Sequence, residues 1–101
     1  MRQWSAPIAL SRFKDHEVPE CSGVYVLLQS ETDPACVLLI APAKNLREAY
    51  TRELHETKEN RPVPGKGFVY FRAAHAAQEA DEFLGEYKNR RGERPLYNSG
   101  F

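Results

Sequence analysis

The hydrophobic and polar positions of the chain change their period several times, and each change predicts a new element. Residues 23–28 are apolar and rich in β-branched side chains, which predicts a strand over about 23–29. Both of its alternating faces are apolar, so we expect other elements to cover it on both sides. A polar turn separates it from a second apolar run at residues 36–40. The two runs predict a β-hairpin, which Pro42 ends because proline has no N–H to give to the ladder.

Helical periodicity follows the hairpin directly. Asn45 is suited to be an N-cap, with Glu48 three residues later, and predicts a helix that runs to Glu59. Its apolar stripe at i, i+3, i+4 and i+8 comprises Leu46, Ala49, Tyr50 and Leu54. A loop with two prolines and two glycines precedes an aromatic-rich strand at residues 68–73. A second helix is predicted over 76–90, with Gly92 as its C-terminal stop.

These elements predict the order β-β-α-β-α in a small α/β (α+β) fold. We expect a three-stranded sheet, mixed or antiparallel, with helices packed against it. The 101 residues form one domain, with a lead segment at 1–18 and a core at 19–98. Trp4 and Phe13 of the lead segment are expected to cover one edge of the core. Gly85 costs helix stability and suggests a close contact at that point of the second helix.

Composition narrows the functions that the chain can have. Fourteen basic and fourteen acidic residues give a net charge of zero, so any binding to nucleic acid must come from a local patch. No apolar run is long enough to span a membrane, and the N-terminus lacks the apolar core of a secretory signal, so we expect a cytoplasmic protein. Cys21 and Cys36 would lie at opposite ends of the hairpin and are expected to be free thiols.

Three stretches of the hairpin and first helix carry a resemblance to a known family. Gly23-Val24-Tyr25 looks like the first half of the GIY-YIG signature, and Leu39-Ile40-Ala41 stands where the second half belongs. The following run, Ala43-Lys44-Asn45-Leu46-Arg47-Glu48, is similar to that of the excision-nuclease branch. Further on, Glu86 and Asn98, with Pro95 between them, match the spacing of the last family motifs. Residues 18–98 thus resemble the GIY-YIG nuclease superfamily.

The resemblance implies hydrolysis of a DNA phosphodiester with one divalent metal, Mg²⁺ or Mn²⁺. It assigns Tyr25 to the tyrosine that acts as nucleophile or positions water, and Asn98 to the closing polar residue. Glu86 corresponds to the glutamate that holds the metal. A helix arginine would clamp phosphate oxygens, and Arg47 and Arg52 are the candidates near that slot.

The chain departs from the family pattern at four positions. The second tyrosine of the signature falls at Leu39 and the glycine at Ala41, while a following lysine falls at Pro42. The arginine slot itself falls at Ala49, so Arg47 or Arg52 would have to replace it. Losing a proton-handling tyrosine and a phosphate clamp each lowers the rate by orders of magnitude. The pattern therefore predicts a family member with weak or lost catalysis.

A basic cluster follows in the second helix and beyond it, and it can contact phosphates. The candidate nucleic-acid-binding residues are Lys44, Lys88, Arg90, Arg91 and Arg94. Three hypotheses stay open: a degenerate domain that binds nucleic acid, DNA in particular, an active endonuclease with a rearranged site that requires Mg²⁺ or Mn²⁺, and a protein-interaction module. The third would use the sheet face and the Trp4 segment, and it needs no cofactor.

Overall fold

The computed structural model of the chain describes residues 3–29, 37–59, 66–93, Pro95 and Asn98, with residues 57–59 as backbone only. Along the chain these residues form four strands, one 3₁₀ turn at Asp15–Glu17 and two α-helices. The strands are β1 (Ile8–Ala9), β2 (Gly23–Leu28), β3 (Val37–Ala43) and β4 (Gly67–Arg72). The helices are α1 (Leu46–Glu59) and α2 (Ala76–Arg91).

The sheet has four strands rather than the three that the sequence predicts. Its order is β1-β4-β2-β3, and every neighbouring pair is antiparallel. The additional strand comes from the lead segment, where Ile8 pairs with Phe68 and Ala9 with Gly67. A two-residue strand is too short to show a period of two, so the sequence pattern could not reveal it. The α+β class is confirmed, and β2 is a central strand.

β3 continues past Pro42, contrary to the expectation that this residue ends the ladder. Pro42 lies opposite Val24 on β2, and Ala43 lies opposite Gly23. β3 is the last strand of the sheet, so a residue there can turn its backbone N side away from its one neighbour. Proline is tolerated at such a position because the ladder needs no donor from it.

Each face of the sheet is covered by one helix, as the two apolar faces of β2 predict. All six residues of β2 are buried. Tyr25 and Phe68 face α1, where they pack in one cluster with Leu46 and Tyr50. Val24, Val26 and Phe71 face the other way, and this second cluster includes Ala80 of α2. Alternate residues of a strand point to opposite faces, so the two clusters lie on opposite sides of the sheet.

The helix ends follow the sequence signals closely. The side-chain oxygen of Asn45 accepts hydrogen bonds from the N–H groups of Arg47 at 3.1 Å and Glu48 at 3.3 Å, as expected of an N-cap. α2 ends at Gly92, whose φ of 80° is left-handed and whose N–H donates to the Lys88 carbonyl at 2.8 Å. The contact expected at Gly85 is wrong, since a Cβ placed there meets nothing within 4 Å.

The lead segment covers the core only in part. The Trp4 ring lies edge-on to Phe71, with centroids 4.6 Å apart, and 5.1 Å from Phe83. Phe13 does not share this role, because 72% of it is exposed. Cys21 is a free thiol, and Cys36 lies outside the described residues. Neither helix, over the described residues, is long and apolar enough to cross a membrane.

Candidate functional site at Tyr25

Tyr25 is held in the centre of the sheet on the face that α1 covers. Its ring stacks on Phe68 of the adjacent strand, with centroids 5.1 Å apart and ring planes 12° from parallel. Only 2% of the residue is exposed. Its hydroxyl donates a hydrogen bond to Oε1 of Glu53 at 2.9 Å. The tyrosine that the family resemblance singles out is therefore a buried donor to a carboxylate.

Glu53 is the site residue that sequence reasoning missed. It is 2% exposed and is the only buried charged residue among those that the structure describes. The sequence pattern places Leu54 in the apolar stripe of α1, but Leu54 is only half-buried. Positions 46, 50 and 53 fit the helical period equally well. The sequence signal for a buried Glu53 was its place on this face of α1, one turn after the core residue Tyr50.

Arg52 completes the cluster from the solvent side. This exposed residue interacts with the hydroxyl of Tyr25, and that interaction raises the pKa of Arg52. Burial, followed by the negative charge of Glu53, raises the pKa of Tyr25 well above its usual value, while Arg52 opposes this shift. Tyr25 therefore stays protonated at neutral pH. The structure thus brings Arg52 next to Tyr25, as one version of the rearranged site requires.

Arg47 binds the backbone of the segment that precedes β2, and it lies beside carboxylates. Its Nε donates to the Val18 carbonyl at 2.8 Å, and its Nη1 lies 3.6 Å from Oε1 of Glu20. Arg47 and Arg52 share the lining of a shallow concavity of about 390 Å³, whose acidic members are Asp15, Glu20 and Glu48. Three carboxylates beside two guanidinium groups disfavour a phosphate at this place.

Glu86 lies on the opposite side of the sheet from Tyr25. It is an exposed residue of α2, the helix that covers the Val24 and Val26 face. The structure therefore does not place Tyr25 and Glu86 at one cleft. Within residues 3–29, 37–56 and 66–93, no three His, Cys, Asp or Glu side chains lie close enough together to hold a metal ion.

Asn98 is engaged by the backbone of β3. Its Oδ1 accepts from the Ile40 N–H at 2.8 Å, and its Nδ2 donates to the Ile40 carbonyl at 2.9 Å. Both polar groups of the amide are used in these bonds. Ile40 belongs to the α2 face of the sheet, whereas Tyr25 belongs to the α1 face. The position of the family's terminal asparagine is thus occupied here by a residue that binds a strand edge.

The basic candidates fall into separate places. Lys88, Arg90 and Arg91 are exposed in the last turn of α2, and the Arg91 guanidinium lies 5.7 Å from the centre of the Tyr87 ring. Lys44 is exposed between β3 and α1. Arg94 lies outside the described residues. Arg47 and Arg52 are on α1 and hence on the other side of the sheet from α2.

Comparisons with protein-family models, with curated proteins and with solved structures found no match to this chain. The similarity to GIY-YIG nucleases therefore rests on the motifs in the sequence.

Proposed function

We propose that this chain is a GIY-YIG-like domain that binds nucleic acid, DNA in particular, without cleaving it. The observation that carries the proposal is the burial of Tyr25, which is 2% exposed and donates its hydroxyl proton to Glu53. A tyrosine that attacks phosphorus, or orients a water that does, must reach the substrate. The position of Glu86 on the opposite face supports the same conclusion, since one metal ion cannot serve both residues.

The binding surface is the C-terminal turn of α2. Lys88, Arg90 and Arg91 are exposed there within four residues, with Arg91 next to the Tyr87 ring. Exposed guanidinium and ammonium groups neutralise phosphates and release counterions. Because the chain has no net charge, this local patch supplies the attraction, and we expect weak, salt-dependent binding.

Binding is tested by fluorescence anisotropy with labelled single- and double-stranded DNA over a series of salt concentrations. We expect the affinity to fall with salt and the double variant Arg90→Gln/Arg91→Gln to bind more weakly with a shallower slope. Each lost phosphate contact on duplex DNA lowers the slope by about 0.9. The matched control is Arg12→Gln/Lys66→Gln, which removes two exposed positive charges elsewhere. An equal loss in both double variants would contradict a localised surface.

Cleavage is tested by incubating supercoiled plasmid with the protein and Mg²⁺ or Mn²⁺. We expect no nicking above that of the metal alone. Nicking that disappears in Glu86→Gln and in Glu53→Gln would replace the proposal with an active endonuclease that uses a rearranged site. Both variants are checked for folding by circular dichroism, because Glu53 is buried.

Phe13 favours a second candidate, a protein-interaction module. Both sheet faces are covered, whereas Trp4 packs on Phe71 and still stays 38% exposed. Phe13 is 72% exposed, with the Arg12 guanidinium 5.1 Å from its ring centre. Aromatic and arginine side chains are enriched at protein interfaces. A protein that binds no nucleic acid at low salt would leave this candidate in place of the first.

A further inference from the structure

β3 is an apolar edge strand, and its outer edge is protected from pairing with another chain in an unusual way. Its seven residues, Val37–Ala43, carry no charged side chain. An edge strand presents unpaired N–H and C=O groups that can pair with another chain, and proteins commonly guard it with charges, prolines or covering segments. β3 lacks the first of these devices, so its protection must come from the others.

Asn98 occupies the place of a neighbouring strand. Ile40 lies opposite Val26 on β2, yet its N–H and C=O both bind the Asn98 side chain, at 2.8 and 2.9 Å. A residue on an antiparallel neighbour would exchange the same two bonds with Ile40. The carboxamide of Asn98 has one acceptor and one donor at a suitable spacing. This single side chain therefore binds both the N–H and the C=O of Ile40.

Pro42 protects the next position on the same side of the strand. Residues two apart on a strand point their backbone groups in the same direction, so the outward groups of residue 42 follow those of Ile40. Proline has no N–H, and Pro42 is exposed. The edge therefore has one donor removed by proline and one donor–acceptor pair occupied by Asn98.

We propose that Asn98 keeps the β3 edge closed to a second copy of this chain. When Asn98 is removed, Ile40 pairs with Ile40 of the second copy across a two-fold axis, and the two sheets join in antiparallel fashion. The occupant is a second copy because each edge then offers one donor and one acceptor to an identical edge. The uncharged Val37–Ala43 run adds no like-charge repulsion between the two strands.

Amide hydrogen exchange of Ile40 is the direct readout. In dilute Asn98→Ala, the Ile40 N–H loses its acceptor, and we expect its exchange to accelerate by about tenfold or more. The matched control is Ser5→Ala. The Ser5 hydroxyl accepts from the Tyr70 N–H at 3.1 Å, toward the β1 end of the sheet. That variant should accelerate Tyr70 and leave Ile40 unchanged.

Sedimentation velocity at increasing protein concentration then tests the pairing. We expect Asn98→Ala to dimerise while the wild type and Ser5→Ala stay monomeric, and we expect Ile40 to regain protection as the dimer forms. A folded Asn98→Ala that stays monomeric up to near-millimolar concentration would overturn the proposal. A dimer in which Ile40 still exchanges rapidly would overturn it equally, because the contact would lie elsewhere.

Asn98→Asp covers the case in which the alanine variant fails to fold. It keeps the acceptor for the Ile40 N–H but places its second carboxylate oxygen against the Ile40 carbonyl, so the cap is weakened rather than removed. We expect partial acceleration of Ile40 exchange and a weaker dimer. No change in either quantity would contradict the role of Asn98. Hydrogen exchange and sedimentation do not depend on nucleic-acid binding, so their results test this proposal separately from the proposed function.

Discussion

Removing the Tyr25 hydroxyl tests the central feature of this fold. In Tyr25→Phe the ring can still stack on Phe68, but Glu53 loses the hydrogen bond that it receives at 2.9 Å. Hydrogen bonds to charged groups contribute about 1.5–3 kcal/mol, and losing one in the core costs more than losing one in water. Both residues are 2% exposed, so water cannot readily replace the hydroxyl. We expect the free energy of unfolding to fall by about 2 kcal/mol.

Two further variants test whether this loss of stability comes from the hydrogen bond between Tyr25 and Glu53. Glu53→Gln keeps an acceptor for Tyr25, and its expected cost is about 1 kcal/mol. Replacing both groups, in Tyr25→Phe/Glu53→Leu, removes the hydrogen bond together with the buried carboxylate and the buried hydroxyl. Apolar replacement of a buried polar pair is often neutral. Arg52 is exposed and can turn its guanidinium to water. The double variant should therefore be more stable than the sum of its single effects predicts.

Urea unfolding at neutral pH, followed by circular dichroism, measures these differences. Tyr70→Phe is the matched control, because Tyr70 is half-buried on the neighbouring strand and its ring centre lies 6.5 Å from that of Phe68. We expect the control to change stability by less than about 0.5 kcal/mol. The reasoning fails if Tyr25→Phe is no less stable than Tyr70→Phe, or if the double variant loses the full sum of the two single losses.

Three further predictions concern two glycines and the buried tyrosines. Gly23→Ala should lower the free energy of unfolding by about 3 kcal/mol or prevent folding, because the new Cβ would collide with the Phe71 carbonyl oxygen. A stability close to that of the wild type in thermal unfolding would contradict this. Gly85→Ala should stabilise by about 0.5–1 kcal/mol in the same measurement, because the new methyl group meets nothing within 4 Å; a loss of stability would refute the helix-propensity argument. Burial raises the pKa of both Tyr25 and Tyr50, so the folded state retains protons that the unfolded state releases near pH 10. Stability from these groups is complete below about pH 10 and should fall above it, with Tyr25 contributing at most about 1.4 kcal/mol per pH unit. Tyr25→Phe should show a shallower decline in alkaline urea titrations, and an unchanged slope would refute the assignment.

Local signals in the sequence determined three of the four strands and both helices of the described residues. The apolar run at 23–28 became β2, Asn45 capped α1, and Gly92 ended α2 in a left-handed conformation. Each of these outcomes depends on a few adjacent residues, whose backbone preferences and capping bonds act within one turn or strand. Those signals also sufficed for the α+β class and for the covered faces of β2.

Only the tertiary structure decided what the polar residues do. Tyr25 and Glu53 are twenty-eight residues apart, and Asn98 is fifty-eight residues from Ile40. Glu86 has the family's spacing along the chain, yet α2 packs on the face that Tyr25 turns away from. The side of the sheet on which a helix packs depends on the connections and on the complete core, and spacing along the chain does not contain that information. The sequence thus determined both helices and the three longer strands, while the packing of the helices on the two faces determined which side chains meet.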